Sequence, residues 1–570
     1  MADDFDWSGL PEGLRYGLLL GGEGKLHLAG LAQRALARPE TLRLGLDLLL
    51  AAWEAGPLDG GLAGAVLRLD RQARFLAKAQ RGLLEAVAGH WEQPEDPAQL
   101  ATLSGLAAGR DHAGLLHWLG QRQRAEPGNL FWTQHLLDTA YLLADWPRVE
   151  AVLAGGWPEG TQDIQRKIRA DAAFQQGDFE AAIDFYGAAR TLRISMSRAA
   201  SAQAALGRTG EARAALGRAQ ARSAWNVNLL LRLHDLRFLA AAPGGDSSPM
   251  RGLHPGAAPG SGAQAACGAG GAGHGLGRVA VCLYTAGKAL EIEATLAALA
   301  ASAAVEQGGA RLVVLDNCSP DATPRVLAAW KERLGEGLEV LSLPVNIGAP
   351  AARNWLMAHP AVTGSDFTAY LDDDALVPPD WLARFGVAVA AYPQAGVWGC
   401  KVVDLPVPAR IQNTDIHFLE SGEDAPAFSS LCTQDLDFGQ FDYLRPCLSV
   451  TGCCHLFRTS ELLASGGFDI RFSPTQYDDL DHDLRLAGAG RMPVYQGHLR
   501  VAHARLSGAL LNQNPAATAN SQGNLEKLAG KYPGEERERL RRLDGEAMLE
   551  DVLRKRERLR AAGLEPGRGD

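Results

Sequence analysis

Asp366-Phe-Thr-Ala-Tyr-Leu-Asp-Asp-Asp-Ala-Leu-Val-Pro-Pro-Asp-Trp381 is the stretch around which the rest of the chain is organised. An apolar, β-prone run from Phe367 to Leu371 stops abruptly in three carboxylates, Asp372, Asp373 and Asp374. A short apolar run, two prolines and a helix start at Asp380 and Trp381 follow. Carboxylates crowded at the end of a buried strand repel one another and lose solvation. A hard divalent cation relieves both, because Mg²⁺ or Mn²⁺ binds one or two carboxylates together with substrate phosphates. In open α/β sheets the ligand crevice lies just outside such strand ends. A bare Asp-Asp-Asp can equally be a solvated turn, so the flanking chain decides.

Upstream, strands and helices alternate. Val279 to Tyr284, Leu312 to Asp316, Leu338 to Leu343 and Phe367 to Asp372 predict four strands, separated by helices at 288–303, about 321–333 and Pro350 to His359. This spacing builds a parallel sheet with nucleotide-binding potential. Three more clusters lie on it. Leu315-Asp-Asn-Cys-Ser-Pro-Asp321 ends the second strand in an acidic turn, where Asp316 can accept hydrogen bonds from a base or ribose and Asn317 lies beside it. Asn346-Ile-Gly-Ala-Pro-Ala-Ala-Arg-Asn354 offers a loop at Asn346 and Gly348, a proline-opened helix, and Arg353 to meet a nucleotide. About 100 residues beyond the aspartates comes Tyr477-Asp-Asp-Leu-Asp-His-Asp-Leu-Arg485. Each cluster is weak alone; their order and separation are specific.

With these clusters, the chain from about Arg278 to Ser507 resembles the family-2 type of glycosyltransferase with the GT-A fold. The resemblance implies a Rossmann-like nucleotide-sugar-binding sheet that moves a sugar from a nucleotide-diphosphate sugar to a hydroxyl acceptor, with Mn²⁺ or Mg²⁺ as cofactor. It places Thr285 at the donor-binding end of the first strand and makes Asp316 the base-contacting acid. It matches Arg353 to the Arg of the family's Ala-Arg-Asn helix. Asp372 and Asp374 fall on the outer positions of the Asp-x-Asp (DXD) motif around Asp373, with Asp374 as the direct metal ligand. Asp478 and Asp479 stand where the family has Glu-Asp, whose second acid is the catalytic base. Asp481 and Arg485 complete that helical segment, and the base assignment stays open among Asp478, Asp479 and Asp481. His503, in Val501-Ala-His-Ala-Arg505, falls at a third metal contact, with His498 as its competitor. The family's usual Pro-Thr-Tyr after the first strand is Leu-Tyr-Thr-Ala here.

The chemistry agrees. Sugar transfer from a nucleotide diphosphate needs the departing phosphate's charge stabilised, which metal coordination supplies. The acceptor hydroxyl needs a carboxylate within hydrogen-bond reach to take its proton. Asp479 in that role gives single-step displacement with inversion. Two other readings compete. A nucleotidyltransferase carries a Gly-rich signature and a Lys after its first strand, of which Thr285-Ala-Gly-Lys288 is a fragment. A non-catalytic scaffold would work through its helical half and keep only nucleotide-sugar binding, but intact acidic clusters weigh against a degenerate sheet.

Residues 1–241 are rich in Ala, Leu, Arg and Gln at helical spacing. Gly177 is followed by Ala182, Tyr186 and Ala189, and Gly207 by Ala212, Leu216 and Ala219 at the same offsets; Ala144, Val149 and Leu153 form a weaker copy. Small residues at these offsets let paired helices approach closely. This half resembles the tetratricopeptide helical repeat, clearest over 133–221. Residues 242–277 change to Gly, Ala, Pro and Ser, a composition that predicts a flexible linker. The GT-A domain is then 278–524 and a helical tail 525–570, a solvated helix packing on its own domain. A flexible linker predicts that the helical half acts as a tethered module that recruits a partner or acceptor protein, or mediates self-association, and supplies no catalytic group, while the acceptor itself is a glycan or a protein. Aromatics of the insert between Cys400 and Thr451 (Phe418, Phe428, Phe438, Phe441, Tyr443) serve either as sugar platforms or as a satellite core.

A chain of 570 residues predicts two or three domains. Its 56 basic and 66 acidic side chains leave a net charge of −10, which argues against a nucleic-acid partner. The N-terminus is acidic where a signal peptide is basic, and no apolar run approaches the ~18 residues of a membrane span. The eight cysteines lie at or after Cys267 with no Cys-x-x-Cys pair, which fits a reduced, cytoplasmic setting.

Overall fold

The computed structural model describes residues 5–239, 275–405, 410–419, 426–429, 435–504 and 515–563. The predicted linker, 242–277, lies outside these except for its last three residues.

Ten strands form one mixed sheet: β1 (Val279–Thr285), β2 (Ala310–Asp316), β3 (Leu338–Ser342), β4 (Phe367–Leu371), β5 (Ala375–Leu376), β6 (Val397–Asp404), β7 (Ile411–Asn413), β8 (Leu444–Pro446), β9 (Cys454–Arg458) and β10 (Val494–His503). The order is β3-β2-β1-β4-β9-β6-β10-β5, with β7 on β6 and β8 on β10. Strands β1 to β4 are parallel neighbours, and β1, β2 and β4 are buried on both faces, which is why they appear in sequence as near-continuous apolar runs; β3 lies at the sheet edge and is partly exposed. Their register aligns Thr285 with Asp316 and Asp316 with Ser342, so the polar residues ending each strand line one edge. Antiparallel β9 carries the sheet across to β6, and β10 runs parallel to β6. The two-residue β5 pairs Ala375 with His503, which brings the residue after the aspartates against the end of β10. This mixed sheet is consistent with the GT-A fold.

Among the described residues, fourteen α-helices precede the sheet, from Glu12–Leu19 to Val227–Phe238. The hairpins Gln162–Gln175 with Phe179–Ala188 and Ile194–Ala205 with Thr209–Arg222 turn at Gly177 and Gly207, both at positive φ. Ala182, Tyr186, Ala189, Ala212, Leu216 and Ala219 are all buried where the hairpins meet.

The tethered arrangement of the helical half needs correction. Helix Val227–Phe238 packs on the C-terminal helix Gly534–Ala561, which also meets Glu12–Leu19 and β8. Asp235 accepts hydrogen bonds from the Leu444 amide (2.6 Å) and sits 3.1 Å from His498 Nε2. Arg445 donates to the Leu19 and Leu20 carbonyls, and Tyr16 to Asp544 (2.9 Å). Buried side chains of both halves form one continuous apolar cluster. Linker composition bears on the linker's own order and is silent about whether its flanks dock. The tail differs for the same reason: a helix begins at Pro515, and Gly534–Ala561 buries Leu540, Met548, Val552 and Leu559 between the two halves instead of lying solvated on one. No described helix is long and apolar enough to cross a membrane.

Candidate active site

Two acidic groups converge outside the C-terminal ends of β1, β2 and β4. The first is the aspartate trio. The Asp372 amide donates to the Cys453 carbonyl at 2.8 Å, which anchors the trio to the residue that leads into β9. Asp373 and Asp374 turn towards Lys288, whose Nζ lies 2.7 and 2.8 Å from them. Asp374 also lies 2.7 Å from His503 Nε2. Burial works against its charge, yet His503 and Lys288 hold Asp374 well below the usual carboxylate range. Asp373 is shifted upward by burial despite Lys288. Asp372 keeps 27% of its side chain exposed, lies 4.0 Å from His503 Nε2, and is pushed up to about 6 by burial and by the two neighbouring aspartates. Burial opposes a charge on His503, but its bond to Asp374 and the field of both aspartates raise its pKa. Gln412 on β7 fixes the other ring nitrogen, with Oε1 2.9 Å from His503 Nδ1. Ligand atoms of Asp372, Cys453 and His503 lie within 4.8 Å of one another. His498, the competitor for His503, is engaged by Asp235 instead.

The second group is the helix Asp478–Gly488. Asp478 is buried against Arg353, 2.5 Å away, and Arg353 stacks over the rings of Tyr284 and Phe468. Burial raises the Asp478 pKa against the pull of Arg353. Asp481 is fully buried between Lys531 (2.6 Å), Arg485 (3.3 Å) and the Tyr532 hydroxyl (2.9 Å). Asp483 accepts from the Val450 amide and the Ser449 hydroxyl, and burial raises its pKa well above the carboxylate range. Asp479 is different. It is half-exposed, no lysine or arginine bonds it among the described residues, and its oxygens accept from the Gly452 amide (2.7 Å) and the Leu480 amide (2.9 Å). Gly452 is required there, because a Cβ would stand 2.7 Å from both Asp479 and Arg353.

The remaining expected residues surround the same edge. The Thr285 hydroxyl is buried at the end of β1, where it favours the charged form of Asp373. Asp316 accepts from the Ser319 amide through one oxygen (2.9 Å). Asn317 and Asn346 bond each other (3.0 Å) and cap the Ile347 and Gly348 amides, so they hold the loop shape. The insert aromatics pack as core: Phe418 and Phe428 lie in one apolar cluster, Phe438 joins Phe174 and Phe179 of the helical half, and Phe441 and Tyr443 lie in the main core.

Sequence reasoning missed Lys288, Cys453 and Gln412. Lys288 carried a signal: it follows β1 by three residues, and β1 neighbours the strand that ends in the aspartates. In the sequence alone Lys288 stands only as a fragment of a nucleotidyltransferase signature.

Residues 279–459 match the family described as Glycosyl transferase family 2. No curated protein matches the chain. Among solved structures the chain is similar to GalNAc-T7 with UDP, GalNAc and Mn²⁺ (TM-score 0.36, 10% identity, 45% of this chain and 48% of that one). It is also similar to the mannosyltransferase PcManGT from Pyrobaculum calidifontis in complex with GDP-Man and Mn²⁺ (TM-score 0.34, 18% identity, 51% of this chain and 76% of that one). A third likeness is to residues 1–349 of S. aureus TarS (TM-score 0.26, 16% identity, 40% of this chain and 59% of that one). The match spans about half the length of the GalNAc-T7 chain.

Proposed function

We propose, from the match of residues 279–459 to Glycosyl transferase family 2, that this protein moves a sugar from a nucleoside-diphosphate sugar to an acceptor hydroxyl on a glycan or protein, with inversion. The observation that carries the mechanism is the contrast among three neighbouring acids. Asp478 and Asp481 are buried in ion pairs, while Asp479, alone of the three, is only partly buried, oriented by two amides and with lone pairs left for a hydroxyl proton.

Asp479 is the general base. It takes the acceptor proton as the acceptor oxygen attacks the anomeric carbon, and the bond to the diphosphate breaks with its electrons leaving on phosphate. Arg353 acts beneath it as a positioning residue, holding Asp478 and closing on the Gly452 carbonyl (3.5 Å). The Thr285 hydroxyl and the open oxygen of Asp316 take the donor's sugar and base portions. Lys288 favours the charged forms of Asp373 and Asp374 and holds both side chains in place.

The residues also fit a divalent ion. Asp372 is the acid of the trio left without a bonded cation, its ionisation is suppressed by burial, and an imidazole stands 4.0 Å away. Asp372 and His503, with Asp374 behind them, would hold Mn²⁺ or Mg²⁺; Cys453 is a buried thiol whose raised pKa suits neither hard cation. Such an ion supplies neutralisation of charge on the departing diphosphate.

The paired helical hairpins with small buried residues at matched offsets support a tetratricopeptide-like reading of the N-terminal half. Six free cysteines among the described residues, five of them buried, support a reduced, cytoplasmic setting.

The test is mass spectrometry of full-length protein incubated with a panel of nucleotide sugars, with and without chelator. Consumption of one donor, abolished by chelator and restored by Mn²⁺ or Mg²⁺, is the expected result. Consumption of none refutes the transferase reading, and full turnover in excess chelator refutes the metal role.

A further inference from the structure

A cavity of about 460 Å³ lies outside the crevice, between the concave side of the helices and the insert that follows β6. It falls in the size range of small-ligand sites. Its floor comes from the helical half, including Lys25, Asp138, Lys167 and Arg198, and its opposite wall is Arg410 and the segment Asp435 to Gln440.

The state of its charged groups is uneven. Each of five cations is committed: Lys25 to Asp59 (2.8 Å), Lys167 and Arg198 to Asp171 (2.7 and 2.6 Å), Arg232 to the Ser201 hydroxyl and the Ser197 carbonyl, and Arg410 to the Leu142 carbonyl. Two of the four carboxylates, Asp138 and Asp435, have no side-chain hydrogen-bond partner among the described residues; Asp138 is exposed, and Asp435 is half-buried and pushed up to about 6 by that burial. Five cations against Glu23, Asp138, Asp171 and Asp435 leave the lining nearly neutral. Two open carboxylates disfavour an anion, and five cations disfavour a cation. The vacancy is for a neutral ligand that donates hydrogen bonds. Between the polar groups stand Leu58, Leu137, Ile168 and Leu436, which suit the C–H faces of a ring.

The wall has a second role. Arg410 lines the cavity and immediately precedes β7, on which Gln412 holds His503. One short stretch of chain therefore runs from the edge of the cavity to the base of the aspartate cluster.

Resting on the transferase reading, we propose that this cavity binds a neutral oligosaccharide, the part of the acceptor chain that does not react. Its hydroxyls donate to Asp138 and Asp435 while the aliphatic side chains pack on its ring faces. The helical half thus selects the acceptor by direct contact.

The experiment uses full-length protein on an array of neutral oligosaccharides of two to six sugars, with a peptide array beside it. We expect retention of one class of neutral glycan, weakened at least about tenfold by Asp138→Ala or Asp435→Ala, as expected for a lost charge-assisted hydrogen bond. Leu142→Trp should abolish it, because Leu142 lines the cavity with 37% of its surface exposed and the added ring enters the open space. Acceptor-independent hydrolysis of the donor should be unchanged in all three. Absence of retained neutral glycans, retention indifferent to all three variants, or peptides retained in their place and lost in Leu142→Trp would each overturn the proposal. Normal donor hydrolysis without glycan retention sinks this inference alone, and retained glycan with no donor consumed sinks the transferase reading alone.

Discussion

Tyr16→Phe tests whether the helical half is docked. The hydroxyl belongs to the helix Glu12–Leu19, is buried, and lies 2.9 Å from Asp544 and 2.8 Å from the Phe418 carbonyl. One phenol carries one proton, so the two short contacts count as a single shared bond to a charged acceptor and a backbone oxygen. Burial and Asp544 raise the Tyr16 pKa far above its ordinary value, so it stays a donor at every working pH. Phe keeps the ring packed against Gly545, so no cavity opens. Asp544 retains His417 at 2.8 Å. The loss is thus one charge-assisted bond, about 1.5–3 kcal/mol. A chain of this size need not unfold in one step, so the suitable assay is hydrogen exchange, which reads local opening. Amides in Gly534–Ala561 and around Phe418 should open more easily by that amount. A change below about 0.5 kcal/mol, the range of an ordinary surface substitution, would refute docking through this contact.

Asp479→Asn should lower kcat by roughly 10²–10⁴-fold with donor affinity little changed, measured as steady-state kinetics and donor titration. Asp481→Asn should act on stability instead, because its charge serves Lys531 and Arg485; the reverse pattern would move the base to Asp481. Arg353→Met leaves Asp478 buried without its cation and should cost about 3–5 kcal/mol in denaturant unfolding of the α/β half. His417 is buried among Asp415, Asp544 and Arg445, and the two carboxylates raise its pKa above the ordinary 6.5 although burial and Arg445 oppose this. A raised folded pKa means that its stabilisation is complete below about pH 6.5 and is lost as pH rises through the folded value. The Tm gap between wild type and His417→Gln should therefore narrow from pH 6 to pH 9, and a constant gap would contradict it.

Legibility followed the range of the contacts involved. The strand at Phe367 appears within one residue of its predicted end, and Val279 to Tyr284 likewise, because each is an apolar run buried on both faces. The pairing of β5 with β10 was not legible: two residues carry no periodicity, and their partner lies more than a hundred residues away. Arg353 was legible as a helix residue, but its ion pair with Asp478 spans 125 positions. The docking of the helical half was misjudged because it rests on Asp235, Tyr16 and Arg445, single polar residues in unremarkable segments whose partners lie in the other half. Small residues at repeat offsets were visible because they are local.

Charge compensation inside the aspartate trio changes what the trio implies. Three adjacent carboxylates in a sequence argue for an external cation because nothing nearby offsets them. In the fold, Lys288 and His503 arrive from β1's end and β10 and take up Asp373 and Asp374, so two of the three are neutralised by the protein itself. Of the three, Asp372 is the one that no lysine or arginine bonds among the described residues, and burial pushes it up to about 6. Asp374, expected as the direct metal ligand, also bonds His503 and Lys288. A site built this way tolerates an empty crevice better than three bare aspartates would, since only one charge is left exposed to its neighbours. It also separates two losses that would otherwise coincide: removing the Asp372 carboxylate subtracts an oxygen 4.0 Å from His503, whereas removing that of Asp374 frees His503 Nε2 and leaves Lys288 held by Asp373 alone.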